Sequence, residues 1–114
     1  MYYTYILRCK DNSLYTGITN DLENRMEQHF LKTKQGAKYT KSHEVIKIEV
    51  CWKCKDKSLA LKLEYWIKTL NKKQKENLVV DKKINKYLKN KVDSRHYRNI
   101  DLEKIVDNKY VANN

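Results

Sequence analysis

The chain has 114 residues, with 25 Lys and Arg against 14 Asp and Glu, for a net charge of +11. That length fits one domain with a single modest core. The longest run free of charged side chains is nine residues, 12–20, which excludes a transmembrane helix, since a span needs roughly 20 apolar residues.

The start, "MYYTYILRCK", has neither the basic leader nor the small-residue cleavage site of a signal peptide. An odd number of cysteines, three, suits a reducing compartment better than a disulfide framework. The expectation is a soluble, cytoplasmic protein. The positive excess is spread, with sixteen basic and nine acidic side chains in residues 1–80, and nine and five in 81–114. Such a field favours an anionic partner, nucleic acid being the commonest; the plainer alternative is a lysine-rich surface with no dedicated partner.

Residues 2–9, "YYTYILRC", are aromatic and β-branched and read as a strand; "KDNS" is a turn; "LYTGIT", 14–19, is a second strand, so the chain opens with a hairpin. Asn20 then reads as a helix cap, with Glu23 three residues on. Leu22, Met26 and Phe30 give that helix an apolar stripe, and it is expected to run to about residue 34. After a polar loop holding Gly36, residues 44–54 alternate, with Ile46, Ile48, Val50 and Trp52 on one face and Lys47, Glu49, Cys51 and Lys53 on the other.

"DKSLALKLEYWIKTL" is the clearest helix, with Leu59, Leu63, Trp66 and Leu70 on one stripe and Ala60 and Ile67 beside it. A short helical segment, 72–79, closes the compact part. Beyond Val80 the apolar density falls, and one or two amphipathic helices are expected (Ile84, Tyr87 and Leu88; then Leu102, Ile105 and Val106). The order ββαβα implies an α+β fold, a small three-stranded antiparallel sheet flanked by helices. The division is a domain over 1–80 and a basic, helical C-terminal extension over 81–114.

Gly17 is one of only two glycines, and a glycine inside a strand often marks a close approach of backbone or ligand. With a three-residue loop, Asp11 to Ser13, Lys10 pairs with Leu14 and Tyr5 with Thr19. Tyr5, Leu7, Tyr15 and Gly17 then share one face, and Ile6, Thr16 and Ile18 the other. Gly17 would leave a side-chain-sized gap beside both phenols. A two-residue loop would split the tyrosines between faces.

On the next helix Arg25 and His29 are spaced i, i+4; residues so placed at a core edge are often merely solvated. Glu64 is the lone acid among Lys57, Lys62 and Lys68 on its helix. It could pair with Lys68, worth a few tenths of a kcal/mol. It also suits a hard divalent cation, since magnesium takes one or two carboxylates and completes its shell with water and substrate phosphate.

The succession Tyr5, "YTG" at 15–17, Arg25, His29 and Glu64 resembles the GIY-YIG nuclease domain over residues 2–80, and "SLALKLEYWIKTLNKKQKENLV" is similar to the small stand-alone bacterial members. Two departures stand out: the first motif reads "YTY" at 3–5 without its leading glycine, and Ile18 follows the second-motif glycine where some relatives carry lysine. The resemblance implies a metal-dependent endonuclease hydrolysing DNA phosphodiester bonds, structure-selective toward branched or single-stranded-containing DNA. It implies Tyr5 as general base, Tyr15 positioning water or phosphate, Arg25 stabilising phosphorane-like charge, His29 binding phosphate or relaying a proton, and Glu64 holding a single Mg2+ or Mn2+. Gly17's gap would admit the scissile phosphate. Tyr39 matches a helper position, Lys38 and Lys41 lie in its basic loop, and Asn71 is a weaker substrate-binding candidate.

The alternatives are a nucleic-acid-binding module of the same fold that does not cut, and an interaction scaffold in which 81–114 mediates dimerisation. A homodimer or an accessory protein is open under each. "CWKC" at 51–54 has too few ligands for zinc, and residues three apart on a strand point to opposite faces.

Overall fold

The computed structural model describes residues 1–30 and 43–102. It is α+β. Strands β1 (Tyr2–Cys9), β2 (Leu14–Thr19), β3 (Val45–Cys54) and β4 (Arg98–Asn99) form one antiparallel sheet in the order β2-β1-β3-β4. Helices α1 (Leu22–Phe30), α2 (Lys57–Thr69), α3 (Lys72–Asp81) and α4 (Ile84–Leu88) accompany it, with a 3-10 turn at Ser94–His96. No helix among the described residues is long and apolar enough to cross a membrane. The fourth strand is the difference from the expected three. It comes from a stretch that reads as polar connection, because its hydrogen bonds are made across to Trp52 and Lys53 rather than signalled by local alternation.

The hairpin keeps the expected faces but not the expected pairs. Tyr5 opposes Gly17 and Leu7 opposes Tyr15, two residues off the Tyr5–Thr19 register. The loop does have three residues, but they are Lys10 to Asn12: Cys9 N–H donates to the Ser13 carbonyl (2.9 Å) and Asn12 N–H to the Cys9 carbonyl (2.9 Å). Asn12 sits at φ 71°, the left-handed position that asparagine tolerates better than most residues. Moving the loop by one residue shifts the register by two, so side-chain parity survives.

Two further corrections have the same origin. The cap of α1 is Asp21, whose carboxylate accepts from Asn24 N–H (3.2 Å), because β2 runs through Thr19 and Asn20 becomes the joint. In β3 the pairing skips Glu49 and Ile46, since Ile6 opposes Val50 while Leu7 opposes Ile48, and Arg8 opposes Lys47 while Cys9 opposes Val45. Each skipped residue inverts the facing of the residues after it. Ile48 therefore joins the face opposite Val50 and Trp52, and Ile46 is half exposed.

Each face of the sheet carries its own core. Ile6, Val50, Trp52 and Cys54 pack with Ala60, Leu63 and Ile67 of α2 and with Leu78 and Val79 of α3. Tyr5, Leu7, Cys9, Ile48 and Cys51 pack with Leu22 and Met26 of α1. Cys51 and Cys54 fall on opposite faces, as strand geometry requires, and all three cysteines are free and buried. Beyond residue 80 the first core continues without a break through Ile84, Leu88, Val92 and Tyr97. The second apolar stripe expected there, apart from Leu102, lies outside the described residues, as does the C-terminal end expected for α1.

Helix α2 is set on the sheet by polar fastenings. Asp56 caps it by accepting from Leu59 N–H (2.9 Å), and the buried Thr4 hydroxyl donates to the Ala60 carbonyl (3.0 Å), one turn before Glu64. Arg8 ties three elements together, bonding Glu49 of β3 (2.9 Å), Glu76 of α3 (2.6 Å) and the Asn12 carbonyl of the hairpin loop (3.2 Å). Its guanidinium holds the Glu76 carboxyl down at about 2.

Candidate active site

Tyr5, Tyr15 and His29 form a compact ring cluster on the α1 side of the sheet. Ring centroids lie 6.4 Å apart for the two tyrosines, 5.5 Å for Tyr5 and His29, and 5.4 Å for Tyr15 and His29. The Tyr5 hydroxyl and His29 Nε2 are hydrogen-bonded at 2.7 Å. Strand parity places the phenols on one face, and the start of α1 at Leu22 brings His29, two turns along, over them beside the Met26 stripe.

Gly17 explains how the cluster fits. A Cβ at that position would stand 2.5 Å from the Tyr5 hydroxyl oxygen, 2.7 Å from Tyr5 Cζ and 3.0 Å from Tyr15 Cε2. The space beside this glycine is therefore filled by the Tyr5 phenol. The gap expected for a scissile phosphate is already taken, because the true register sets Tyr5 directly opposite Gly17.

Electrostatics divide the cluster. Tyr5 and His29 are wholly buried, and Tyr15 is only partly so. Burial, reinforced by repulsion from Tyr15, pushes the Tyr5 phenol far above its ordinary range; Arg25, by hydrogen bonding and by its charge, pulls the other way and is outweighed, while Glu64 adds to the rise. Tyr15 is also raised, first by burial, against the opposing charge of Arg25 and with Glu64 adding to the rise. The expectation that positive charge would make Tyr5 easy to ionise therefore fails in the free chain: desolvation disfavours the charged form more than one guanidinium favours it. His29 is pushed down to about 4 by burial first and Arg25 second, so it is neutral near pH 7 and brings no cationic charge to a phosphate.

Arg25 and Glu64 supply the charged rim. Both influence both phenols, although Glu64 comes from α2, 59 positions beyond Tyr5 and 49 beyond Tyr15 in the chain. Arg25 also donates to Gln28 Oε1 (2.7 Å), which steadies the guanidinium. Gln28 is not singled out by sequence; its i, i+3 spacing from Arg25 is the available signal. The Glu64 carboxylate is 19% exposed and pairs with Lys68 at 3.5 Å, the bland partner its spacing allows.

The donor set suits one hard divalent cation and no protein-caged ion. Glu64 offers a single partly exposed carboxylate beside phenol oxygens, and among the described residues no cluster of three His, Cys, Asp or Glu side chains could hold a metal by itself. A magnesium-like ion with one carboxylate and a shell completed by water and phosphate matches that arrangement.

Of the remaining candidates, Asn71 serves as the cap of α3. Its side chain accepts from Gln74 N–H (2.8 Å), and its own N–H donates back to Gln74 Oε1 (3.0 Å), a reciprocal capping box. Both groups are thereby engaged in holding the α2–α3 corner. Lys38, Tyr39 and Lys41 lie outside the described residues.

Comparison with known proteins agrees with this geometry. The profile of the GIY-YIG catalytic domain matches residues 1–77. A UPF0213 protein of Fusobacterium nucleatum is 44% identical over 104 residues, covering 91% of this chain and 97% of that one. The UPF0213 protein YhbQ of Salmonella typhimurium is 43% identical over 81 residues, covering 71% of this chain and 79% of the other. A UPF0213 protein of Bacillus halodurans, solved by solution NMR, is 38% identical, covers 70% of this chain and 84% of its own, and superposes with a TM-score of 0.42. The domain that this profile describes is a nuclease domain, generally served by divalent metal. With the two phenols, the arginine, the histidine and the glutamate in the family's order, this chain belongs to the GIY-YIG family.

Proposed function

We propose that the protein is a Mg2+- or Mn2+-dependent endonuclease hydrolysing DNA phosphodiester bonds, with a preference for branched or partly single-stranded DNA. One observation carries the reading: a lone carboxylate from α2 whose charge reaches both phenols of the hairpin beside Arg25. A module that only binds DNA has no chemical use for that arrangement.

The phenol that takes the proton of the attacking water is Tyr15 rather than Tyr5. Support comes from access, since Tyr15 is partly exposed and Tyr5 is sealed at 0% exposure with its hydroxyl on His29. Repulsion from Tyr15 also raises Tyr5, so Tyr15 is the phenol that ionises first. Tyr5 and His29 then act together as a neutral hydrogen-bonded pair that fixes the floor of the site. Arg25, steadied by Gln28, offsets charge on the phosphorus centre, where preorganised donors are worth far more than in water. When bound at Glu64, a hard divalent cation supplies charge against the departing 3′ oxygen.

Single-turnover assays on flap, splayed and duplex DNA with each metal test the proposal. Wild-type protein is expected to nick at least one of these, and Glu64→Gln to bind the same DNA without cutting it. Wild-type protein that binds DNA in a steeply salt-dependent manner and cuts none of the panel with either metal would establish the binding module instead.

A further inference from the structure

The segment C-terminal to the catalytic profile is both built into the core and strongly charged. Residues 81–100 carry seven Lys and Arg side chains against Asp81 and Asp93. Ile84, Leu88, Val92 and Tyr97 anchor it in the same apolar cluster as α2, so the charges stand on a fixed surface. The Fusobacterium relative aligns over 91% of this chain, a length that must include this segment.

Both aspartates are satisfied from within. Asp81 accepts from the Tyr87 hydroxyl and Lys83 N–H and pairs with Lys86 at 3.4 Å. Asp93 is bound by the Arg95 guanidinium at 2.8 Å. Exposed Lys82, Lys83, Lys89 and Arg98 have no acidic partner among the described residues. Held cations without counter-charges repel one another, a cost that a bound polyanion relieves.

These side chains also border a groove. Lys82, Lys83, Asn85 and Lys86 face Ser94 and Asn99 across a depression of about 520 Å³. A second depression, lined by Lys89, Lys91 and Arg95, shares Asn85 and Ser94 with the first, so the track is continuous. Its β4 end lies at the opposite edge of the sheet from β2, which carries Tyr15. Three interstrand spacings are roughly 14 Å, about four steps of a nucleic-acid strand at ~3.4 Å each.

We propose that this groove binds the phosphodiester backbone of the DNA substrate four or more nucleotides from the cut, as an exosite separate from the tyrosine cluster. The proposal rests on the nuclease reading for its ligand. Phosphate is the chemistry recognised, with asparagine and serine adding neutral hydrogen bonds, so the site sets affinity and length dependence without reading sequence.

The test is the triple variant Lys83→Gln, Lys89→Gln, Arg98→Gln, compared with wild type and with Glu64→Gln. Lys82 is left in place because it occupies the left-handed φ of 60° that ends α3. Removing one phosphate-binding cation should lower the slope of log affinity against log salt by about 0.9, or about eightfold in affinity at 0.1 M salt relative to 1 M. The triple variant should therefore bind a 20-nucleotide strand at least tenfold more weakly (an order-of-magnitude expectation from the same slope), with cleavage at saturating DNA unchanged. Glu64→Gln should retain full affinity and salt slope. Amine-reactive footprinting of wild-type protein should show Lys82, Lys83 and Lys89 protected by that strand, a readout independent of any variant. A folded triple variant with unaltered slope, or unprotected lysines in the DNA complex, overturns the exosite while leaving the nuclease intact. Wild-type protein that binds but never cuts overturns the nuclease reading and leaves the exosite to these measurements. Wild-type protein that binds no DNA overturns both.

Discussion

The two faces of the sheet are made from the same strands and use their buried positions differently. On the α2 side, Ile6, Val50 and Trp52 meet Leu63 and Ile67 in an almost wholly apolar layer, with Thr4 satisfied by the Ala60 carbonyl. On the α1 side the same strands bury two phenols and an imidazole, and Tyr5 and His29 satisfy each other. The first face sets where α2 lies and hence where Glu64 arrives. The second holds groups whose polar ends are too costly to bury without partners. Stability and chemistry are thus separated by one-residue alternation along β1.

That separation can be broken most severely at Tyr15. Tyr15→Phe should leave the dry face and the fold intact and lower single-turnover cleavage by about 10²–10⁴-fold, the usual worth of a positioned general base. Because both phenols are raised, the active form is the scarce phenolate, so wild-type cleavage should climb close to tenfold per pH unit from about pH 6 to 9, below the phenol's reference pKa. The residual activity of Tyr15→Phe should lack that climb.

Gly17→Ala attacks the same face through shape alone. The new methyl group collides with a Tyr5 ring that cannot swing away from its buried site, so the phenol shifts and the His29 bond lengthens. A displacement near 1 Å costs about 10²-fold in rate, with about 1–3 kcal/mol of overpacking strain. Cleavage assays and denaturant melts on one preparation measure both.

The polar face also makes the fold acid-sensitive. His29 is held to about 4 when folded, below its reference 6.5, so the unfolded chain takes up a proton first as pH falls. Its contribution is complete above about 6.5 and is lost progressively down to about 4, up to about 3 kcal/mol. Urea titrations should show this decline in wild type and a flatter profile in His29→Gln.

The smallest expected effect lies on the other face and sharpens the contrast. Arg8→Ala leaves Glu49 and Glu76 facing each other without their shared cation. Both pairs are partly screened by solvent, so the loss should be about 2 kcal/mol, below the roughly 3–5 of a fully buried pair. Cleavage per folded molecule should not change, since Arg8 belongs to the scaffold.

Much of this is legible in residue order. Alternation in β1 and β2 and the four-residue stripe of α1 place Tyr5, Tyr15 and Gly17 on one face with His29 on the adjacent helix. The resemblance of those residues and Glu64 to a nuclease domain agrees with the profile over 1–77. The hairpin pairs are not legible, because a three-residue loop can sit one position earlier at no cost to parity, and only the preference of Asn12 for a left-handed backbone selects between the placements. The bulges at Glu49 and Ile46 are invisible as well, since a skipped residue leaves the local hydrophobic period looking regular.

Periodicity, capping chemistry and charge are properties of neighbours along the chain, and the sequence alone determined them: helices, strands, faces and a basic surface. Which phenol is sealed, the occupant of the space beside Gly17, and the reach of the Glu64 charge depend on packing between segments far apart in sequence. Tertiary structure decided those, because desolvation and contact are set by whatever comes to lie against a side chain, and residue order does not state that.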